Sequence, residues 1–548
     1  MKRVLLLLSL LIAGTITGHS AALKDIIPQP SRIIELKGSF KVSGAAVKCD
    51  PGIDSISFDA IKRFATRLSL ACGKTSAVSM PIGLKNVIAD GSAKGFIFII
   101  DRSMNAEEYS IDVSGKAAII KAAGRNGFLY SIQTLKQMLP VDIFGKSPAA
   151  DVKWTIPCCT IMDSPRFAYR GMHMDSSRHF WTVAEVKKYL DVMATFKLNR
   201  LHWHLTDDQG WRIEIKAFPL LTQVGGYREG TMIAHDFSSN DGIRYGGSYT
   251  QKEIKEVIRY AESLGITIIP EIDLPGHMLA ALAAYPGLGC GSGPYATWTR
   301  WGVSDQVLCV GKESTFAFLE QVLSEVAELF PSEYIHIGGD ECPKSEWEKC
   351  PDCQALIASL GLKDDERYSA EQYLQSYVTR RIQDFLATKG KKIIGWDEIL
   401  EGQLAEGTTV MSWRGVAGAK EAVKRGFDAI MTPNSHFYFD YCQSENRDEE
   451  PLCIGGFIPL EKVYAFDPFE GLAEEDHHKI LGVQANLWTE YIATMEHLEY
   501  MLLPRMLALS EVQWCEEQNR NYERFLSALL NSGYKILDKT GYNYRKKQ

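Results

Sequence analysis

The sequence predicts an α/β protein, a (β/α)8 TIM barrel preceded by a small α/β accessory domain. Three observations carry this. The chain has 548 residues, more than a single core usually holds, so two domains are the default. From Arg166 onward, short β-type apolar segments alternate with long amphipathic helical ones, giving eight strand candidates. No glycine-rich nucleotide loop follows the first of these, which argues against the runner-up, an open doubly wound sheet.

Taken in order, residues 1–22 begin Met1, Lys2, Arg3, continue as an apolar stretch to about Ile16, and end in small residues at Gly18, Ser20, Ala21 and Ala22. That is the layout of a secretory signal peptide, and its apolar run is shorter than the roughly 20 residues that span a bilayer. An exported protein, periplasmic or extracellular, is therefore expected, with no membrane span after cleavage. A net charge of −8 without a basic run in the mature part offers no counterion-releasing surface, so nucleic acid is not an expected partner. Oligomeric state is left open.

Residues 23–163 read as the small domain, with strands at 96–100, 109–113 and 118–122 and helices at 59–70 and 127–138. Few polar residues of a catalytic kind cluster there, so its expected role is to support the larger domain. In residues 164–548 the strands fall at 171–175, 200–205, 267–272, 334–338, 392–396, 409–413, 429–432 and 481–487. Helices at 183–196, 251–264, 314–330, 370–388 and 417–425 lie between them.

Barrel chemistry sits at the C-terminal ends of the strands, and each of these strands ends in polar or aromatic residues. The first delivers Asp175 and Arg178, the second His202, His204, Asp207 and Asp208, the third Glu271, Asp273 and His277. The fourth delivers Asp340 and Glu341, the fifth Trp396, Asp397 and Glu398, the sixth Trp413 and Arg414. Tyr438 and Asp440 close the seventh, Trp488 and Glu490 the eighth. Carboxylates supply acid and base groups while tryptophan faces stack on sugar rings, so the combination points to a carbohydrate.

Asp340 and Glu341 form the sharpest pair. Adjacent carboxylates repel, and a partly buried one keeps a proton near neutral pH, as a general acid requires. Gly338 and Gly339 leave room for a ligand beside that backbone. Consecutive Cα atoms lie about 3.8 Å apart, which suits one side of a glycosidic bond rather than the two sides that an enzyme nucleophile or an activated water would need. A 2-acetamido sugar can supply its own nucleophile: its carbonyl oxygen attacks the anomeric carbon while one carboxylate steadies the amide and the other protonates the leaving oxygen. Substrate-assisted families are a known exception to the usual arrangement of carboxylates.

The segments PRFAYRGMHMDSSRHF (165–180), KLNRLHWHLTDDQGWRIEI (197–215), IIPEIDLPGH (268–277), HIGGDE (336–341), GWDE (395–398), SWRG (412–415) and NLWTE (486–490) resemble the family 20 glycoside hydrolases, the β-N-acetylhexosaminidases and chitobiases. EEYSIDV (107–113) and GFLYSIQTLKQ (127–137) are similar to that family's small accessory domain. The resemblance implies a retaining exo-β-N-acetylhexosaminidase that removes terminal non-reducing β-linked GlcNAc or GalNAc through an oxazoline intermediate, without a cofactor. Carried over by residue, Glu341 matches the general acid/base and Asp340 the group that orients the acetamide. Trp396, Trp413 and Trp488 match the aromatic walls, and Tyr438, within HFYFDY, matches the tyrosine on the acetamide carbonyl. Arg178 and Glu490 match residues on the ring hydroxyls, and Asp207 and His277 match polar residues near the site.

Two other readings remain in view. His202 and His204 form an HxH on one strand face, which suits a metal-dependent amidohydrolase, although matching histidines at later strand ends are hard to assign. A non-catalytic sugar-binding barrel would carry a broken acid pair, whereas both carboxylates are present. Glu271 and Asp273 fit a supporting network as well as a direct role, Trp203 and Trp211 read as packing, and Glu398 could face the pocket. Among twelve cysteines, Cys350 and Cys353 form a CxxC, with Cys342, Cys290 and Cys309 as pairing candidates. A zinc site needs a second matched pair at suitable spacing, which the sequence lacks, so local disulfides or inert thiols are expected.

Overall fold

The computed structural model describes residues 23–149 and 151–546; the expected signal segment lies outside them. Eight parallel strands, Tyr169–Asp175, Arg200–His204, Thr267–Glu271, Tyr334–His336, Lys392–Trp396, Thr409–Ser412, Asp428–Met431 and Ile480–Ala485, close in that order into a barrel. Gly482 pairs with Tyr169 across the closing seam. Tyr169–Asp175 and Thr409–Ser412 are buried along their whole length, which is why parallel strands read as near-continuous apolar runs rather than as alternation. Several predicted strands end one or two residues early. Leu205, Ile272, Gly338 and Trp413 leave the ladder because there the backbone turns into the loops that build the site.

The helices begin where side chains meet their first N–H groups. Thr182 with Glu185, Thr250 with Glu253 and Ser369 with Gln372 form capping boxes at the starts of Val183–Thr195, Gln251–Ser263 and Ala370–Thr388. Trp203 and Trp211 are buried in the core, as their packing role requires.

The small domain is a seven-stranded mixed sheet with Ser55–Cys72 and Arg125–Met138 packed against it. The strands expected at 96–100, 109–113 and 118–122 are present. Arg32–Lys41 and Thr155–Asp163 extend the sheet; the first is an almost fully exposed edge and so carries no apolar alternation to read. Asp163 anchors this domain to the barrel. Its carboxylate meets the fully buried Lys197 ammonium at 2.9 Å and accepts the Trp514 indole N–H at 2.8 Å, while Glu107 pairs with Arg170 at 2.9 Å. Arg170 and Lys197 stand at the starts of the first two barrel strands, so the small domain holds the barrel from the end opposite its catalytic mouth. Among the described residues, no helix is long and apolar enough to cross a membrane.

Candidate active site

A cavity of about 460 Å³ opens at the C-terminal end of the barrel, walled by Arg178, Asp340, Glu341, Trp396, Trp413, Tyr438, Asp440, Trp488 and Glu490. The aromatic part is a box. Trp413 and Tyr438 lie nearly parallel with centroids 6.1 Å apart, and Trp488 stands 5.9 Å from Trp396 and 6.5 Å from Tyr438. Such faces bury the apolar side of a sugar ring and exclude water. The Trp413 indole N–H donates to Glu398 at 2.9 Å, which fixes the ring; burial, with Asp340 and Asp397 nearby, pushes that carboxyl up to about 8.

The acid pair is delivered by a strained turn after Tyr334–His336. Gly338 and Gly339 have φ of 64° and 95°, and Glu341 itself has φ of 47°, a region that non-glycine residues seldom occupy. A Cβ on Gly338 would stand 1.7 Å from Asp273 Oδ1, so only glycine allows the turn to press against the third strand. The outcome is a buried Asp340 beside a Glu341 whose side chain is 41% exposed.

His277 lies between them and the barrel interior. Its Nε2 is 3.7 Å from Asp340 Oδ2 and 3.6 Å from Glu341 Oε2, and its Nδ1 is 3.0 Å from Asp207 Oδ1. Asp207 Oδ2 in turn meets Arg178 at 2.8 Å and His204 Nε2 at 2.9 Å. His204 Nδ1 bonds to Glu271, whose oxygens also hold His202 at 3.0 Å, His336 at 2.9 Å and the Trp396 indole N–H at 3.0 Å. A chain of alternating carboxylates and imidazoles thus runs beneath the cavity floor and orients Arg178, His277 and Trp396.

Electrostatics divide the acid pair. Burial raises Asp340 to about 6, the Glu341 and Glu271 charges adding to it and His277 opposing. Glu341 is lowered, chiefly by the His277 imidazole 3.6 Å away. Burial works against the charge on His277, but Asp207 and Asp273 outweigh it and hold the ring protonated. Of the pair, Asp340 is therefore the member that holds a proton more readily, which corrects the simple expectation that repulsion prepares the general acid itself.

Eight of the ten residues expected from sequence stand on the cavity wall. Asp207 and His277 do not: both are buried behind it, because their side chains are spent on Arg178, His204 and the acid pair, and they reach a ligand only through those groups. Glu271 belongs to the supporting network. The sequence places Asp440 at the seventh strand end, two residues beyond Tyr438, without assigning it a binding role, and gives no sign of Tyr491, next to Glu490; both stand on the wall. His235 and Trp301 of the wall lie in the loops 230–247 and 287–302, where the sequence suggests outer subsites without singling out residues, whereas Ile454 lies on a loop that the sequence did not point to. Asp340 Oδ1, Asp440 Oδ1 and Glu490 Oε2 are buried acceptors without a hydrogen-bond partner. Each such atom costs about 1–3 kcal/mol, so the wall is matched to a ligand that brings several donors.

The imidazoles of the HxH pair are committed to Glu271 and Asp207 and line no part of the cavity, which disfavours the amidohydrolase reading. Of the cysteines, the bonded pair is Cys442–Cys453, which was not among the expected candidates. Cys290, Cys309, Cys342, Cys350 and Cys353 are free thiols.

Comparison with known proteins agrees with this geometry. Residues 167–517 match the model of "Glycosyl hydrolase family 20, catalytic domain" and residues 24–164 that of "Glycosyl hydrolase family 20, domain 2". A β-hexosaminidase of Porphyromonas gingivalis is 41% identical over 95% of this chain, which spans only 64% of that relative's length. A β-hexosaminidase of Vibrio furnissii is 34% identical over 90% of the chain and 77% of its own length. The crystal structure of an exo-β-N-acetylglucosaminidase from Vibrio harveyi, in complex with N-acetylglucosamine, superposes with a TM-score of 0.82 at 33% identity, covering 96% of this chain and 79% of that one. The two matched models, the closed barrel and the adjacent acid pair agree, and the chain belongs to glycosyl hydrolase family 20.

Proposed function

We propose that this protein is a retaining exo-β-N-acetylhexosaminidase that removes terminal non-reducing β-linked GlcNAc or GalNAc by substrate-assisted catalysis. The observation that carries this reading is the adjacent Asp340 and Glu341 at one edge of the tryptophan box. The sugar ring lies against Trp488 with its hydroxyls on Arg178, which donates, and on Asp440 and Glu490, whose unpartnered oxygens accept them. The 2-acetamido group enters between Trp396, Trp413 and Tyr438, where the Tyr438 hydroxyl donates to its carbonyl and Asp340 accepts its N–H. That carbonyl oxygen attacks the anomeric carbon, forming the oxazoline as the glycosidic bond breaks. Glu341 gives its proton to the departing oxygen, then takes one from the water that opens the oxazoline from the vacated side.

Two inversions leave the β anomer. The half-exposed Glu341 loses water when the aglycone covers it, and desolvation favours its protonated form, so binding transfers the shared proton toward the leaving group. The basic-led apolar segment at residues 1–22 supports export to the periplasm or beyond.

Rates on 4-nitrophenyl 2-acetamido-β-glucoside and on the plain β-glucoside, with the first anomer followed by NMR, test the reading. A strong preference for the acetamido sugar and an initial β product are expected. Comparable rates on the two substrates, or an initial α product, would overturn it.

A further inference from the structure

The loop after the third barrel strand and the start of the helix Pro351–Leu360, which follows the fourth, meet in a group of four cysteines outside the cavity. The sulfurs of Cys290, Cys309, Cys350 and Cys353 all lie within 4.8 Å of one another. Cys309 Sγ is 3.5 Å from Cys350 Sγ and 3.8 Å from Cys353 Sγ, and Cys290 Sγ is 3.9 Å from Cys353 Sγ. Four thiolates at about 2.3 Å from a tetrahedral zinc ion stand about 3.8 Å from each other, whereas disulfide sulfurs stand about 2.05 Å apart. The observed spacings fit the first arrangement.

We propose that these four cysteines bind one zinc ion as a closed structural site. The four thiols release four protons and the zinc(II) takes four thiolates, with nothing oxidised or reduced and no position left for water. The matched pair that the sequence lacks as a second CxxC is supplied in space, by residues that the barrel brings beside the first.

The surrounding backbone is built to hold the sulfurs in place. Cys350 caps the helix Pro351–Leu360 and Cys353 lies in its first turn. A Cβ on Gly311 would stand 2.2 Å from the Asp352 backbone, so only a glycine lets the Cys309 segment press onto that turn. Gly289 pairs with Leu308 beside two of the cysteines, the Cys309 N–H donates to Leu288 O at 2.7 Å, and the Trp347 indole donates to Leu308 O at 2.9 Å.

The loop between Cys290 and Cys309 carries Trp301, Gly302 and Val303 of the cavity wall, while Cys350 follows the turn that bears Glu341. A metal here fixes the outer wall relative to the acid pair. In an oxidising compartment the competing state is two disulfides within the same four sulfurs.

The test uses the full chain, purified without chelators or metal-affinity resin. Elemental analysis is expected to give about one zinc per chain, and the double variant Cys350→Ser/Cys353→Ser far less. Cobalt(II) put in place of zinc in the unaltered chain is expected to give sulfur-to-cobalt charge-transfer bands and tetrahedral d–d bands, a readout that does not depend on the variant folding. Alkylation of the denatured protein without reductant is expected to label all four cysteines. Closed disulfides among them would overturn the proposal. So would four free thiols that take up neither zinc nor cobalt.

Discussion

Replacing Asp340 by asparagine removes a buried charge while keeping the side chain's shape, and it should move stability and activity in opposite directions. The carboxyl is raised from 3.8 to about 6 in the folded site, burial being the main cause. A carboxyl whose folded pKa exceeds its unfolded value costs stability as pH rises past 3.8, and the cost is complete above the folded value. At about 1.4 kcal/mol per pKa unit, a rise of about 2 units amounts to on the order of 3 kcal/mol at pH 7. Asp340→Asn is therefore expected to unfold at a higher temperature than the unaltered protein at pH 7, with the difference fading toward pH 4.

Activity goes the other way, because the charge that orients the acetamide is lost, and kcat/KM is expected to fall about 10²–10³-fold. The pH profile shifts as well. The pair works with one proton shared between its members, so kcat/KM of the unaltered enzyme declines as pH rises through about 6. In the variant only Glu341 remains, held below the ordinary 4.5 by His277, and the alkaline limb moves below that value. The assay is kcat/KM on 4-nitrophenyl 2-acetamido-β-glucoside between about pH 4 and 8, with thermal unfolding of both proteins in the same buffers. An alkaline limb still near 6 in the variant, or a variant less stable than its parent at pH 7, refutes the reasoning.

Glu341→Gln should lower kcat by about 10²–10⁴-fold on natural disaccharides, and by less on 4-nitrophenyl glycosides, whose leaving group departs without a proton; equal losses on both would remove Glu341 from the acid role. Glu398, pushed up to about 8, is uncharged at pH 6, so Glu398→Gln should keep kcat there within about tenfold by still accepting from the Trp413 indole. A loss as deep as that of Glu341→Gln would mean that an ionised Glu398 is needed. Asp163→Ala leaves Lys197 buried without its carboxylate and should cost about 3–5 kcal/mol, seen as a lower unfolding midpoint with kcat of the folded enzyme unchanged; a reduced kcat with unaltered stability would instead place the small domain in catalysis.

Most of the barrel was legible because parallel strands buried on both faces must be apolar throughout and the helices between them are long amphipathic runs. The polar wall was legible for a related reason: barrel topology assigns every residue just past a strand to one rim, so Asp340, Trp396 and Trp488 could be grouped without coordinates. Edge strand Arg32–Lys41 escaped notice because an exposed strand need not alternate. The loops 230–247 and 287–302 could be expected to carry outer subsites, but His235 and Trp301 within them, and Ile454, could not be singled out because long loops are positioned by contacts, not by local pattern.

By itself, then, the sequence determined the order of elements and which side chains share the mouth of the barrel, since periodicity and strand-end position are properties of the chain. Only the tertiary structure decided that Asp207 and His277 stand behind the wall and that Asp340, not Glu341, is the readier of the pair to hold a proton. It also decided that Cys309 meets Cys350 across 41 residues of chain. These depend on distances through space and on local burial, which spacing along a chain does not encode.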